Sequence, residues 1–152
     1  MAESKQLGLS RVRDYMTPDP QTLDIKNTLL DAVLMLRRLE LRHIPILEDG
    51  RLVGILTDRD VGRVAPSMLM GLSPQDYNRV FEDTPISKVM TRNLYSTTPE
   101  APLAEAVNLL YNYKLGCLPV LEGDRLVGII TVVDMLRALH DWMGNSESTE
   151  QA

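Results

Sequence analysis

Two seven-residue stretches carry the side chains with chemical content. Gly54-x-x-Thr57-x-x-Asp60 returns as Gly128-x-x-Thr131-x-x-Asp134, each time after an apolar run and before a helical pattern. A threonine followed three residues later by an acid is a helix-capping pair, in which each side chain accepts from a backbone amide at the other residue. The same arrangement suits a second task. Free N–H groups at a helix start attract phosphate, and a hydroxyl there adds a donor. A carboxylate one turn in accepts hydrogen bonds from a vicinal diol such as ribose. Thr57 with Asp60, and Thr131 with Asp134, are therefore either caps alone or caps that also form one end of a nucleotide site.

The motif belongs to a longer duplication. Met16-Thr17 returns as Met90-Thr91, Leu29-x-x-Ala32-Val33-x-x-Leu36 as Leu103-x-x-Ala106-Val107-x-x-Leu110, and Pro45 as Pro119, all at an offset of 74 residues. From Met16 to Arg63, 18 of 48 positions match their partners, where random composition gives about three. Two copies are too few for a solenoid, so they are expected to pack on each other.

Each copy reads β-α-β-β-α. Thr22-Leu23-Asp24-Ile25 and Leu94-Tyr95-Ser96-Thr97 are short β-prone pieces. Residues 28–41 and 102–115 have helical spacing, with Thr28 and Asp31 as a capping signal and Pro102 in the first turn of the second. Two apolar runs follow in each copy, joined by Asp49-Gly50 or Gly123-Asp124, which favour a tight hairpin. The last helix of the first copy is expected to be cut short by Gly62 and Pro66. That of the second is expected to stop at Gly144, ahead of a polar, disordered tail over 145–152. Between the copies, residues 66–83 form a partly helical connector opened by Ser73-Pro74. It is too apolar for a solvated linker and is expected to pack on the pair or to join a dimer surface, with Met68, Met70 and Met143 as interface candidates.

Composition narrows the class. The chain has 152 residues, 44% hydrophobic and 24% charged, with net charge −5 and one cysteine. That size sustains a core without staples, and one cysteine excludes an internal disulfide framework. Net negative charge repels a phosphate backbone, so no nucleic-acid partner is expected. No run approaches the length of a membrane span, and Met1-Ala2-Glu3-Ser4-Lys5 opens no apolar leader, so the reading is cytoplasmic, with no membrane partner. Cys117, beside an apolar run, reads as a small buried hydrophobe, and His43 and His140 make no metal-ligand spacing. No nucleotide-binding glycine loop or nucleophile elbow occurs. Arg63 and Arg137, one turn beyond each aspartate, read as solvated partners of that acid.

The series Met-Thr, helix, hydrophobic-Pro-hydrophobic, hairpin, Leu-Val-Gly-Ile-x-Thr-x-x-Asp resembles the cystathionine β-synthase (CBS) domain. His43-Ile44-Pro45-Ile46, Cys117-Leu118-Pro119-Val120 and Thr57-Asp58-Arg59-Asp60 carry the likeness. It assigns residues 10–65 and 84–144 to two tandem repeats, and Leu72 to Tyr77 of the connector is similar to stand-alone bacterial CBS pairs of the acetoin-utilisation type. The resemblance implies an α/β fold in which the repeats pack as a pseudo-two-fold pair, with adenine nucleotides in the clefts between them. In such sites the Asp holds ribose and the Thr contacts phosphate. Carried over, Asp60 and Asp134 are ribose candidates and Thr57 and Thr131 phosphate candidates. His43, Ile44 and Pro45, and Cys117, Leu118 and Pro119, line the base, with Thr22 and Ser96 as further contributors. Asp58 and Arg59 complete the first motif, and Arg59, Arg42 and His43 balance phosphate charge there. The second copy has Val132-Val133 and Gly116-Cys117 instead, which suits a less charged ligand or an empty cleft. The expectation is a non-enzymatic regulatory module for AMP, ADP or ATP, needing no cofactor, homodimeric and reporting to a protein partner. The alternatives are an interaction module with vestigial clefts, or a sensor of S-adenosylmethionine or cyclic di-AMP.

Overall fold

The computed structural model describes the backbone of residues 7–92 and 94–150. In chain order the elements are β1 (Thr17–Pro18), β2 (Leu23–Asp24), α1 (Leu29–Arg38), β3 (His43–Glu48), β4 (Arg51–Thr57) and α2 (Asp58–Val64). Then come α3 (Pro74–Asp83), α4 (Leu103–Tyr113), β5 (Cys117–Glu122), β6 (Arg125–Thr131) and α5 (Val132–Glu150). The class is mixed α/β, with two three-stranded sheets ordered β2-β3-β4 and β1-β6-β5. The chain divides into two compact units. One is Pro20–Leu94; the other joins the residues up to Asp19 with those from Tyr95 onward.

In the 20–94 unit, α1 starts where Thr28 and Asp31 cap each other, Thr28 Oγ1 accepting from the Asp31 amide at 3.1 Å and Asp31 Oδ2 from the Thr28 amide at 3.0 Å. Its apolar face, Leu29, Ala32, Val33 and Leu36, packs on Ile44, Ile46 and Leu56 of the sheet. The β3–β4 hairpin turns through Asp49 (φ 50°) and Gly50 (φ 77°), both left-handed as a type I′ turn requires. Part of the connector joins this core: α3, capped by Ser73 with Pro74 at its start, buries Phe81 against the cluster. Tyr77 meets the Phe81 ring edge-on at 5.2 Å. Burying a phenylalanine contributes about 1.5–3 kcal/mol, which fastens α3 to this core. The connector's Leu69 and Met70 remain exposed; the Met68 side chain lies outside the described residues, as do residues 1–6.

The other unit repeats the plan. Leu103, Ala106 and Leu110 of α4 pack on Leu118, Val120 and Ile130, with Ala138 of α5 and with Val12 and Tyr15 from the N-terminal segment. The β5–β6 hairpin puts only Gly123 at positive φ, 59°. Of the β-prone piece Leu94–Thr97, only Thr97 bridges a strand, pairing with Val120.

The linear repeat and the packed unit are not the same stretch of chain. Met16-Thr17, written in the first copy, lies on the second copy's sheet, where Thr17 pairs with Ile129. Met90-Thr91, written in the second, lies on the first copy's sheet, where Thr91 and Ile55 exchange backbone hydrogen bonds at 2.9 and 3.0 Å. This close approach explains the duplicated glycine. A Cβ on Gly128 would stand 2.8 Å from Met16 Sδ and 3.0 Å from the Thr17 carbonyl oxygen. On Gly54 it would meet Met90 Sδ at 2.5 Å and the Thr91 carbonyl oxygen at 3.1 Å.

Two helix ends differ in how they form. The α2 helix passes through Gly62 and stops at Val64, with Ala65 extended at ψ 129°, because Pro66 disfavours helical backbone at the residue before it. The α5 helix does not stop at Gly144. It continues to Glu150, correcting the expected disordered tail as far as residue 150; residues 151–152 lie outside the described set. One glycine costs a helix only about 1 kcal/mol, and no proline follows to end it. Among the described residues no helix is long and apolar enough to cross a membrane.

Candidate functional site

In the 20–94 unit, β4 ends at Thr57 and α2 begins at the next residue, so the motif is the strand-to-helix junction. Thr57 Oγ1 accepts from the Asp60 amide at 3.0 Å, and Asp60 Oδ2 accepts from the Thr57 amide at 2.9 Å. The cap is thus formed. It buries the Asp60 residue to 8% exposure, with Arg63 3.9 Å from Oδ1. Hairpin register places His43 opposite Thr57, and the Asp58 amide donates to the Arg42 carbonyl at 3.1 Å. Arg42, His43, Thr57, Asp58 and Asp60 therefore meet at one end of this sheet. Asp58 and Arg59 are exposed, whereas Ile44 and Pro45 are buried one and two positions down the strand.

Burial holds the His43 imidazole below its ordinary pKa, and the Arg42 charge adds to this while Asp58 and Asp60 oppose it. His43 is accordingly a neutral ring near pH 7 and offers one donor and one acceptor. Thr22 precedes the β2–β3 pair Leu23↔Ile46, which sets it level with Pro45.

The second motif repeats the junction. Thr131 donates to Asp134 Oδ2 from its amide at 2.8 Å and from its hydroxyl at 3.1 Å, while the Asp134 amide donates to Thr131 Oγ1 at 3.3 Å. Cys117 pairs with Thr131 across the hairpin, and the Val132 amide donates to the Gly116 carbonyl at 3.1 Å. Cys117, Leu118 and Pro119 are all buried. Burial alone pushes the Cys117 thiol up to about 12, so the sulfur is an inert filler rather than a nucleophile. Val132 and Val133 stand exposed where the first motif has Asp58 and Arg59.

Ser96 is exposed and level with Pro119, since the next residue, Thr97, bridges Val120. It also lines an open cavity of about 530 Å³ with Thr97, Thr98, Glu100, Leu121 and Gly123. That cavity sits at the hairpin end of β5, opposite the end where Cys117, Thr131 and Asp134 converge. The structure thus joins Cys117 to Thr131 and Asp134 and places Ser96 between the two ends.

Arg63 and Arg137 both match their expected role as exposed partners of the acid one turn back, at 3.9 Å from Asp60 and 3.4 Å from Asp134 with side chains 72% and 55% exposed. Arg137 has a further partner. Its Nη2 donates to the Tyr15 carbonyl at 2.6 Å as well as to Asp134 Oδ1 at 3.4 Å, and its guanidinium lies 5.5 Å from the Tyr15 ring centroid. No local signal announces this contact, because Tyr15 lies 122 residues earlier and is written in the other copy. Among the described residues no group of three His, Cys, Asp or Glu side chains is placed to hold a metal ion.

Comparison with known proteins agrees with this architecture. The CBS domain family model matches residues 12–66 and again residues 86–141. The CBS domain-containing protein YhcV of Bacillus subtilis (strain 168) is 31% identical over 127 residues, which is 84% of this chain and 84% of that one. AcuB from Vibrio cholerae, described as an acetoin utilization protein, superposes with a TM-score of 0.73 at 33% identity, covering 91% of this chain and 96% of that chain. CBSX2, solved in complex with AMP, has a TM-score of 0.69 at 26% identity, covering 85% and 95%. With both copies matched in tandem, the chain belongs to the CBS-domain family.

Proposed function

We propose that the chain is a non-enzymatic regulatory module that binds an adenine nucleotide, with Asp60 as the ribose acceptor and Thr57 and Arg59 directed to phosphate. The observation that carries this reading is the Asp60 carboxylate. It is buried and anchored through Oδ2, and among the described residues no donor reaches Oδ1 within hydrogen-bonding distance. Oδ1 is not among the sealed, unpartnered polar atoms of the described residues, so its acceptor positions are open to an incoming group, and a ribose diol supplies two donors. Arg42 and Arg59 bring positive charge to the same end of the sheet, and the buried Ile44-Pro45 strand offers an apolar wall for a base. The AMP complex of CBSX2 supports the ligand class. A ligand with unequal affinity for two arrangements of the module would shift their balance, with readout through a homodimer or a protein partner.

Thermal unfolding with AMP, ADP, ATP, S-adenosylmethionine and cyclic di-AMP tests the class. A ligand at 100 times its Kd adds about 2.7 kcal/mol, a shift of several degrees at this length. Asp60→Asn keeps one oxygen for the Thr57 amide but loses the charge and the open acceptors. It should weaken binding by ~1.5–3 kcal/mol, or roughly 10- to 150-fold. Unchanged affinity in folded Asp60→Asn protein overturns the assignment. A second reading, an interaction module with vestigial clefts, draws on Leu69 and Met70, which are 96% and 67% exposed; it predicts no shift with any of the five ligands.

A further inference from the structure

The two aspartates differ in how much of their hydrogen-bonding capacity is already taken. A carboxylate offers about four acceptor positions, two on each oxygen. Asp60 accepts one hydrogen bond, from the Thr57 amide at 2.9 Å, and Arg63 stands too far away at 3.9 Å. About three positions stay open. Asp134 accepts two on Oδ2, from the Thr131 amide at 2.8 Å and hydroxyl at 3.1 Å, and one on Oδ1 from Arg137 at 3.4 Å. About one stays open. A vicinal diol brings two O–H donors, so it fits Asp60 as it stands but not Asp134.

Arg137 is anchored from its far side. The nitrogen that reaches Asp134 also donates to the Tyr15 carbonyl at 2.6 Å, and the guanidinium rests over the Tyr15 ring. Tyr15 is itself 6% exposed and built into the core of this unit. The entropy lost in holding a long side chain against an acid, which cancels most surface ion pairs, is therefore already offset by the tyrosine contacts. In the other unit Val89 occupies the aligned position and offers a carbonyl but no ring, and among the described residues Arg63, its side chain 72% exposed against 55% for Arg137, makes no such hydrogen bond.

We propose that Arg137 is a specificity-determining residue, positioning Asp134 so that it is closed to a diol. The Thr57/Asp60 motif is then the tighter site for a ribose-bearing ligand and Thr131/Asp134 the weaker. Capture of a diol by Asp134 requires Arg137 to release Oδ1 while it keeps its bond to Tyr15. This inference rests on the reading of both aspartates as diol acceptors.

Calorimetric titration of the full chain with AMP and with 2′,3′-dideoxy-AMP, which lacks the diol, tests it. Wild type should show two unequal events, and Asp60→Asn should remove the tighter one. In the Asp60→Asn background, Arg137→Gln should raise the AMP to dideoxy-AMP affinity ratio of the remaining event about two- to fivefold, the strength of one partly exposed ion pair. Arg137→Lys, which keeps a cation on a different geometry, should fall between and carries the comparison if the glutamine variant folds poorly. General loosening of the unit would move both ligands equally and leave the ratio alone, so an unchanged or lowered ratio overturns the inference. If Asp60→Asn removes the tighter event but the ratio of the remaining one is unmoved by Arg137→Gln, this inference fails alone. AMP binding to none of the proteins overturns the nucleotide reading and the inference together.

Discussion

Replacing Gly54 by alanine asks how closely the Met90-Thr91 segment lies on β4. The new Cβ would stand 2.5 Å from Met90 Sδ, 3.0 Å from Met90 Cγ and 3.1 Å from the Thr91 carbonyl oxygen. Met90 is 7% exposed and packed with Ile86 and Leu56, so its sulfur has little room to swing away. The Thr91 backbone is tied to Ile55 in both directions, so moving it strains those bonds. Overpacking of this kind costs about 1–3 kcal/mol, and weakening a ladder hydrogen bond adds about 0.5–1.5 kcal/mol. Against this, alanine restricts the unfolded chain and returns about 0.4–1 kcal/mol. The net is a destabilisation of about 1–3 kcal/mol, a fall in Tm of ~2–10 °C at this length. Gly62→Ala is the control. It lies inside α2 with nothing within 4 Å of its would-be Cβ and should stabilise by about 0.5–1 kcal/mol. Both are read by thermal and urea unfolding followed by circular dichroism. A Gly54→Ala protein melting at or above the wild type would refute the crossing of Met90-Thr91 onto this sheet.

Two further expectations follow from buried titratable groups. With its thiol held at about 12, Cys117 has ~10³-fold less thiolate at pH 8 than an ordinary cysteine. Iodoacetamide should therefore label the native protein about that much more slowly than the denatured one, and similar rates would contradict the burial. His43, with its pKa lowered by burial, resists protonation in the folded state while the unfolded chain takes up a proton near pH 6.5. Its contribution to stability is complete above that pH and is lost as pH falls through 6.5 toward the folded value. Urea midpoints at pH 7.5 and 5.5 should converge in His43→Gln relative to wild type; equal pH dependence in the two would count against it.

Much of the architecture is legible from short-range pattern. The Thr28–Asp31 cap, the Leu29-Ala32-Val33-Leu36 face of α1 and the Asp49-Gly50 turn all depend on residues within a few positions of one another. So do the Thr57–Asp60 and Thr131–Asp134 caps, which is why the junctions could be placed without coordinates. Chemistry that depends on distant partners was not legible. The reach of Arg137 to Tyr15, and the hold this places on Asp134, needs a contact spanning 122 residues. The end of α5 was misjudged for a milder reason, since one glycine is a weak stop without a partner that prefers the turn.

The strand crossing marks the boundary most sharply. The sequence alone determines that there are two copies and that each supplies a Met-Thr segment and a Gly in Leu-Val-Gly-Ile; that the one packs on the other is seen only in the structure. Nor does the sequence determine which segment joins which sheet. Met16-Thr17 and Met90-Thr91 are identical, as are the residues around Gly54 and Gly128, so the local energies of the two pairings are nearly degenerate. Only the tertiary structure separates them. The path of the chain places β1 on Ile129 and Thr91 on Ile55, and Tyr15, carried along with β1, is thereby delivered to Arg137.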